Sequence, residues 1–230
     1  MARRSLVHDY FQAGIVAVIL ALFVRTYLVQ AFQIPSPSME RTIRVGDHVL
    51  VNKFVYGVTA TLAGRELLPF SKVERGDVIV FKYPNGPEKD YVKRVIGKPG
   101  DTVKIEHGIV SIKGPSDTDF AELKENYALH MEPPMGPDPD NLNNFGPKEI
   151  LPDSYFVMGD NRDDSRDSRE WGLVPRDYIR GKVLLVYWSF DPPPPPPADS
   201  PPPGPLQAFW RSAVASFSRT RWDRTFLVIH

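Results

Sequence analysis

Apolar and polar positions divide the chain into two unlike stretches. From Phe11 to Val24 the positions are almost all apolar, with Arg3 and Arg4 ahead of the run and Arg25 behind it. The pattern predicts a helix from about Tyr10 to Phe32, and roughly 20 such residues suffice to cross the hydrocarbon layer. A cleaved leader would need small residues after the run, and Leu22, Phe23, Val24 and Arg25 do not supply them. A buried helix of a soluble protein also fits so short an apolar core. Arg25 disfavours a span, since a central arginine costs several kcal/mol, but near the far end its side chain can reach the headgroups. Tyr10, Phe11, Tyr27 and Phe32 bracket the run as interfacial anchors do, and this favours the spanning helix. Arg3 and Arg4 then keep the N-terminus in the cytoplasm and place the chain beyond Phe32 outside.

Beyond Pro35 the period changes. Short β-branched or aromatic runs recur at 49–51, 77–81, 91–96, 155–158 and 183–188, separated by Gly and Pro. Thr102–Ile105 and Ile109–Ile112, joined across Glu106, His107 and Gly108, read as a hairpin. The expectation is one mainly β domain over 34–190, carried on an anchor at 1–33. Within it, 114–152 is rich in Pro, Asp and Asn and reads as an irregular surface insertion. Residues 191–205 hold a proline tract, read as an extended linker. The last segment, 206–230, is too charged for a second span.

Composition removes several classes of function. Lys plus Arg and Asp plus Glu balance at 28 each in 230 residues, so no global field favours nucleic acid. The absence of Cys excludes disulfides, thiolate metal sites and a cysteine nucleophile. The five His residues are scattered and form no ligand pair, so neither a metal nor a cofactor is expected.

Three stretches carry chemistry. In Ile34-Pro35-Ser36-Pro37-Ser38-Met39, two prolines fix the backbone around two hydroxyls, which would hold a nucleophile at little entropic cost. Alone, the same residues also describe an ordinary turn. In Tyr91-Val92-Lys93-Arg94-Val95-Ile96, strand alternation puts Lys93 on one face and Arg94 on the other, and the pattern does not say which is inside. Chemistry separates them, because a buried lysine can lose its proton near neutrality and arginine cannot. Only Lys93 can act as a base toward serine. The third stretch, Gly159 to Arg169, alternates Asp and Arg; it lacks the Gly and Glu that a calcium loop requires and reads as a turn tied by ion pairs.

Taken in order, these stretches resemble the successive motifs of bacterial type I signal peptidases. The resemblance runs through Pro35–Met39, Gly46-Asp47 with Val49–Phe54, Arg75–Val78, Tyr91–Gly97, Pro99–Asp101, Gly159–Arg162 and Asp167–Arg169. It covers the chain from the anchor to about Phe190. It implies a β-rich catalytic domain with one N-terminal transmembrane helix, built around a hydrophobic cleft that faces the membrane. By resemblance Ser38 is the nucleophile and Lys93 the general base. The Ser36 hydroxyl and the Ser38 amide would form the oxyanion hole. Ser165 would orient Lys93, Asp167 and Arg169 would brace the site, and Asp160 would pair with Arg94. The implied substrates are secreted preproteins, cut after a small-x-small sequence by an enzyme of the bacterial cytoplasmic (inner) membrane. The implied partners are those preproteins and the lipid bilayer. Arg41, Lys98 and Asp164 depart from the family's usual Pro, Leu and Asn.

Three other functions compete. One is a Ser-Lys peptidase dedicated to one client, and another is a non-catalytic tethered β domain that binds exported chains. The last is a Ser-His-Asp hydrolase using His48, which has no motif around it.

Overall fold

A computed structural model describes residues 6–56, 72–130, 143–191, 204 and 217–229. Its first element, α1, spans Leu6–Phe23. No part of the apolar window His8–Leu28 is buried among the described residues, so its side chains face outward from His8 on. Among the described residues its apolar surface has no protein partner, as a helix solvated by lipid requires.

The helix is shorter than the apolar and aromatic pattern implies. It ends at Phe23, passes through one π-helical turn at Val24–Leu28, and gives way to strand β1, Val29–Gln33. The Val29 amide closes the turn by donating to the Val24 carbonyl. Val29–Gln33, expected within the anchor, belongs instead to the larger sheet of the domain. The physical reason is a partner invisible to local pattern. Strand β2, Asp47–Asn52, runs antiparallel to it in unbroken register from Val29 opposite Asn52 to Gln33 opposite His48. A ladder satisfies the same backbone groups as a helix, and Phe32 then packs against the core.

The remaining strands are β3 (Val78–Tyr83), β4 (Gly86–Gly97), β5 (Thr102–Glu106), β6 (Ile109–Lys113), β7 (Ala121–Glu122), β8 (Phe145–Glu149), β9 (Ser154–Met158), β10 (Val174–Pro175), β11 (Ile179–Ser189) and β12 (Leu227–Val228). The larger sheet runs β1-β2-β11-β3-β4-β9-β10, with β12 added on β11. The smaller sheet runs β7-β6-β5-β8. The expected hairpin is β5–β6, turned at His107 and Gly108, both with positive φ as a tight hairpin requires. The protein is therefore mainly β with one N-terminal apolar helix.

Three apolar clusters hold the layers together. Ile34, Met39, Val49, Val80 and Val186 pack near the start of the domain. Ile79, Phe81, Val95, Val157 and Ile179 form a second cluster. Ile96, Val103, Ile112, Phe156 and Met158 join the two sheets in a third. Strand β4 feeds all three, because Val92, Val95 and Ile96 enter different clusters. That explains why Lys93 and Arg94, on its two faces, are both buried.

Two segments are more ordered than their composition suggests. The stretch 114–152 contributes β7 and β8 to the smaller sheet, each paired with a strong strand whose register supplies the order that Pro and Asp deny locally. Within 217–229, β12 joins the main sheet, Leu227 opposite Val186 and Val228 opposite Leu185. The proline tract lies outside the described residues except for Asp191 and Gly204.

Candidate active site

Strand β9 accompanies β4 only as far as Arg94, opposite Met158. Where β9 stops, the turn Pro37–Met39 packs against β4. Ser36 leads into it with extended backbone, φ −127° and ψ 152°, and Pro37 opens the 3-10 turn. Proline there has the φ the turn needs and lacks the amide that would go unpaired. This arrangement brings Lys93 Nζ to 2.5 Å from Ser38 Oγ, across 55 positions of sequence.

Lys93 is only 3% exposed. Burial pushes its ammonium down from the ordinary 10.5 to about 8; the Asp167 charge opposes the shift and the Arg169 charge adds to it. A desolvated amine beside a serine hydroxyl can accept that hydroxyl's proton as the oxygen attacks. Ser36 Oγ lies 3.4 Å from Ser38 Oγ, on the exposed side of the turn.

The Gly159–Arg169 loop supports the pair from behind. The Asn161 amide donates to the Ser38 carbonyl at 3.1 Å, and its side chain donates to the Pro37 carbonyl at 3.3 Å. Gly159 is needed for closeness, because a Cβ there would collide with the Ser38 carbonyl and with Ser165 Oγ. Asp167, buried, accepts from the Gly159 amide at 3.1 Å, from Ser165 Oγ at 2.8 Å and from Arg169 Nε at 2.9 Å. Burial alone would raise the Asp167 carboxyl, but these hydrogen bonds and the Arg169 charge outweigh it and hold the group below its ordinary range.

Arg94, on the strand beside Lys93, makes a bidentate pair with Asp160 at 2.8 and 2.7 Å, and both residues are buried. Such a fork fixes direction as well as charge. Thr42 completes it, donating to Asp160 Oδ2 at 2.5 Å.

A cleft of about 370 Å³ opens onto Ser38 and Lys93. One wall is Phe32 to Met39; the other is Asp90 to Lys93 with Val80, and Asp164 and Arg166 also line it. The lining is mostly apolar, with a few polar groups converging at one place, as small sites for extended ligands are.

Of the expected residues, Ser38, Lys93 and Ser36 meet at the cleft, Arg94 pairs with Asp160 as expected, and Asp167 and Arg169, expected to brace the site, pair with each other. The Ser165 hydroxyl donates to Asp167 at 2.8 Å, behind the dyad. His48 is elsewhere, its ring stacked on Trp188 at 4.7 Å. Sequence reasoning missed Thr42, Asn161 as the clamp on Ser38, and the Glu125–Leu129 segment; only Asn161 lay within a recognised motif. Among the described residues no group of His, Asp and Glu is arranged to hold a metal.

Comparison with known proteins identifies the family. The family described as signal peptidase, peptidase S26, matches residues 7–188. Signal peptidase I of Pseudomonas aeruginosa is 35% identical over 83% of this chain and 76% of its own length. Signal peptidase I of Aquifex aeolicus is 34% identical over 75% of this chain and 80% of its own length. A crystal structure of a signal peptidase I from Enterococcus faecalis is 29% identical, with a TM-score of 0.40 over 50% of this chain and 98% of that one. These matches do not favour a non-catalytic domain or a single-client peptidase. The chain belongs to the signal peptidase family, peptidase S26, and is a membrane-bound serine endopeptidase that removes signal peptides.

Proposed function

We propose that Ser38 is the nucleophile and Lys93 the general base of this signal peptidase. The observation that carries the assignment is the 2.5 Å approach of Lys93 Nζ to Ser38 Oγ at a buried position. In the reactive state Nζ is neutral and takes the hydroxyl proton while Oγ attacks the scissile carbonyl. The same ammonium then gives its proton to the leaving amine, and a water activated by the regenerated amine releases the acyl group. Ser36 Oγ and the Ser38 amide take the charge on the tetrahedral oxygen. Asp167, held by Arg169 and Ser165, keeps a fixed negative charge near the lysine.

The substrate binds as an added strand. The outer edge of β1, and β4 from Asp90 to Lys93 on the side away from β3, have no strand partner among the described residues. An extended preprotein segment between them would gain main-chain hydrogen bonds, and shallow apolar pockets would admit only small side chains beside the cut. The client is the C-terminal end of a signal peptide with a small-x-small sequence. α1 is the single span, with the N-terminus cytoplasmic and the catalytic domain on the outer face of the bacterial cytoplasmic membrane. No nucleic acid takes part.

Cleavage of a model preprotein in detergent tests the dyad. Ser38→Ala and Lys93→Ala should each lose nearly all activity, because nucleophile and base act as a unit. Lys93→Arg should be equally inactive, since guanidinium holds its proton. More than about a tenth of the wild-type rate in either Lys93 variant would remove the lysine from the mechanism.

A further inference from the structure

Behind the Ser38 turn lies a layer of chain that the chemistry of the dyad does not itself require. The Leu129 amide donates to the Asp160 carbonyl at 2.7 Å, and the Arg162 amide donates to the Leu129 carbonyl at 3.0 Å. Asn161, between them, donates to the Ser38 carbonyl. The backbone is thus stacked three deep, with residue 129 on 160–162 and these on residue 38. Arg162, 1% exposed, grips Glu125 through both terminal nitrogens, and the Arg94 guanidinium lies 4.0 Å from the centre of the Tyr127 ring. Glu125–Leu129 therefore touches two of the buried arginines around the catalytic loop, Arg94 and Arg162.

Arg41 closes this assembly from the opposite side. It sits three residues past the nucleophile, and its Nη1 donates to the Ala128 carbonyl at 2.7 Å across 87 positions of sequence. Its own φ is +91°, a conformation disfavoured for any residue with a Cβ. A strained backbone persists where surrounding structure holds it, and here the holding bond is the one to Ala128. Because the acceptor is a carbonyl and not an acid, the tie sets geometry and neutralises no charge. The next residue, Thr42, is fixed on Asp160, and the Thr42 amide donates to the Met39 carbonyl at 3.1 Å. The turn carrying Ser38 is therefore pinned at its carbonyl by Asn161 and at its exit by Arg41 and Thr42.

We infer that Arg41 is a positioning residue for the nucleophile, tying the Ser38 turn to the Glu125–Leu129 segment so that Ser38 Oγ stays aimed at Lys93. This rests on the reading of Ser38 as nucleophile. Loss of the tie leaves the cleft and the dyad residues in place but widens the range of Oγ positions, which lowers the acylation rate and not substrate affinity.

Full-length protein in detergent provides the test, with Arg41→Ala, Arg41→Lys and Arg41→Gly compared on a model preprotein. The readouts are kcat, KM, Tm and the rate at which a serine-directed acylating probe labels Ser38. Arg41→Ala should lower kcat and the labelling rate together, by about tenfold, with KM within about twofold. Arg41→Gly accepts the positive φ without strain yet lacks the bond, and should match Arg41→Ala. Arg41→Lys keeps a donor and should recover most of the loss. Wild-type labelling rates in the Ala or Gly variant would overturn the inference, as would a lowered Tm with a normal rate per labelled site. Ser38→Ala separates the two ideas: if it still cleaves, or if the probe labels another residue, the nucleophile assignment has failed instead.

Discussion

Lys93 works as a base only when neutral, and its surroundings decide when that is. With its ammonium pushed down to about 8 by burial, the neutral fraction grows as pH rises through that value. The kcat/KM of preprotein cleavage should therefore rise with pH along a limb that inflects near 8. The Asp164 charge raises the lysine, so Asp164→Asn should move the limb toward lower pH. A limb that moved up, or stayed in place, would show that the exposed carboxylate does not sense the base. Ser36→Ala should lower kcat by roughly a hundredfold with little change in KM, as loss of one oxyanion donor does. Gly159→Ala should be nearly inactive though soluble, because its Cβ would drive the Ser38 carbonyl and the Ser165 hydroxyl apart. At this scale the sequence is informative where chemistry is exclusive. Arginine cannot be a base, so Lys93 stands out from Arg94 without a structure. The contacts of Thr42 and Arg41 are illegible, because their partners lie 118 and 87 positions away; Arg41 stands out only as a departure from the family's usual Pro.

The elements show where periodicity succeeds and where it does not. β3, β9, β11 and the β5–β6 hairpin are runs of β-branched and aromatic side chains between Gly and Pro, and that composition locates them. β1 reads as helix because apolar residues continue into it from α1, and only its ladder with β2 ends the helix. The C-terminal segment holds a less visible dependence. Asp47, fully buried, accepts from Arg224 Nη2 at 2.6 Å and from Ser189 Oγ at 2.6 Å, and Arg221 lies 3.4 Å away. A carboxylate buried at the start of β2 thus relies on two arginines that lie beyond the proline tract. Removing one partner of a buried pair leaves an uncompensated charge, and Arg224→Ala should cost about 3 kcal/mol or more in denaturant unfolding. An unchanged midpoint would mean that Asp47 finds water once Arg224 is gone. Arg224→Ala also frees the Thr42 carbonyl, to which Arg224 donates at 2.9 Å, so some loss of kcat should accompany the loss of stability.

For the whole molecule, orientation across the bilayer decides whether the site can meet its substrates. Protease added outside vesicles of native orientation should digest the chain beyond Glu40, while a tag ahead of Met1 stays protected. The reverse pattern would place the cleft in the wrong compartment and exclude the proposed topology. The anchor's join to the domain has a mechanical consequence. α1 ends one turn before β1, and β1 is bonded along its length into the sheet that carries Lys93 and runs on to the Ser38 turn, so little free chain lies between helix and cleft. The five residues of β1 span about 16 Å, an ordered strut between helix and cleft. An enzyme on a strut inherits its working altitude from the lipid. Thickening the acyl layer would draw the cleft toward the headgroups and thinning it would lift the cleft away, so the rate on a given preprotein should pass through a maximum as acyl-chain length is varied.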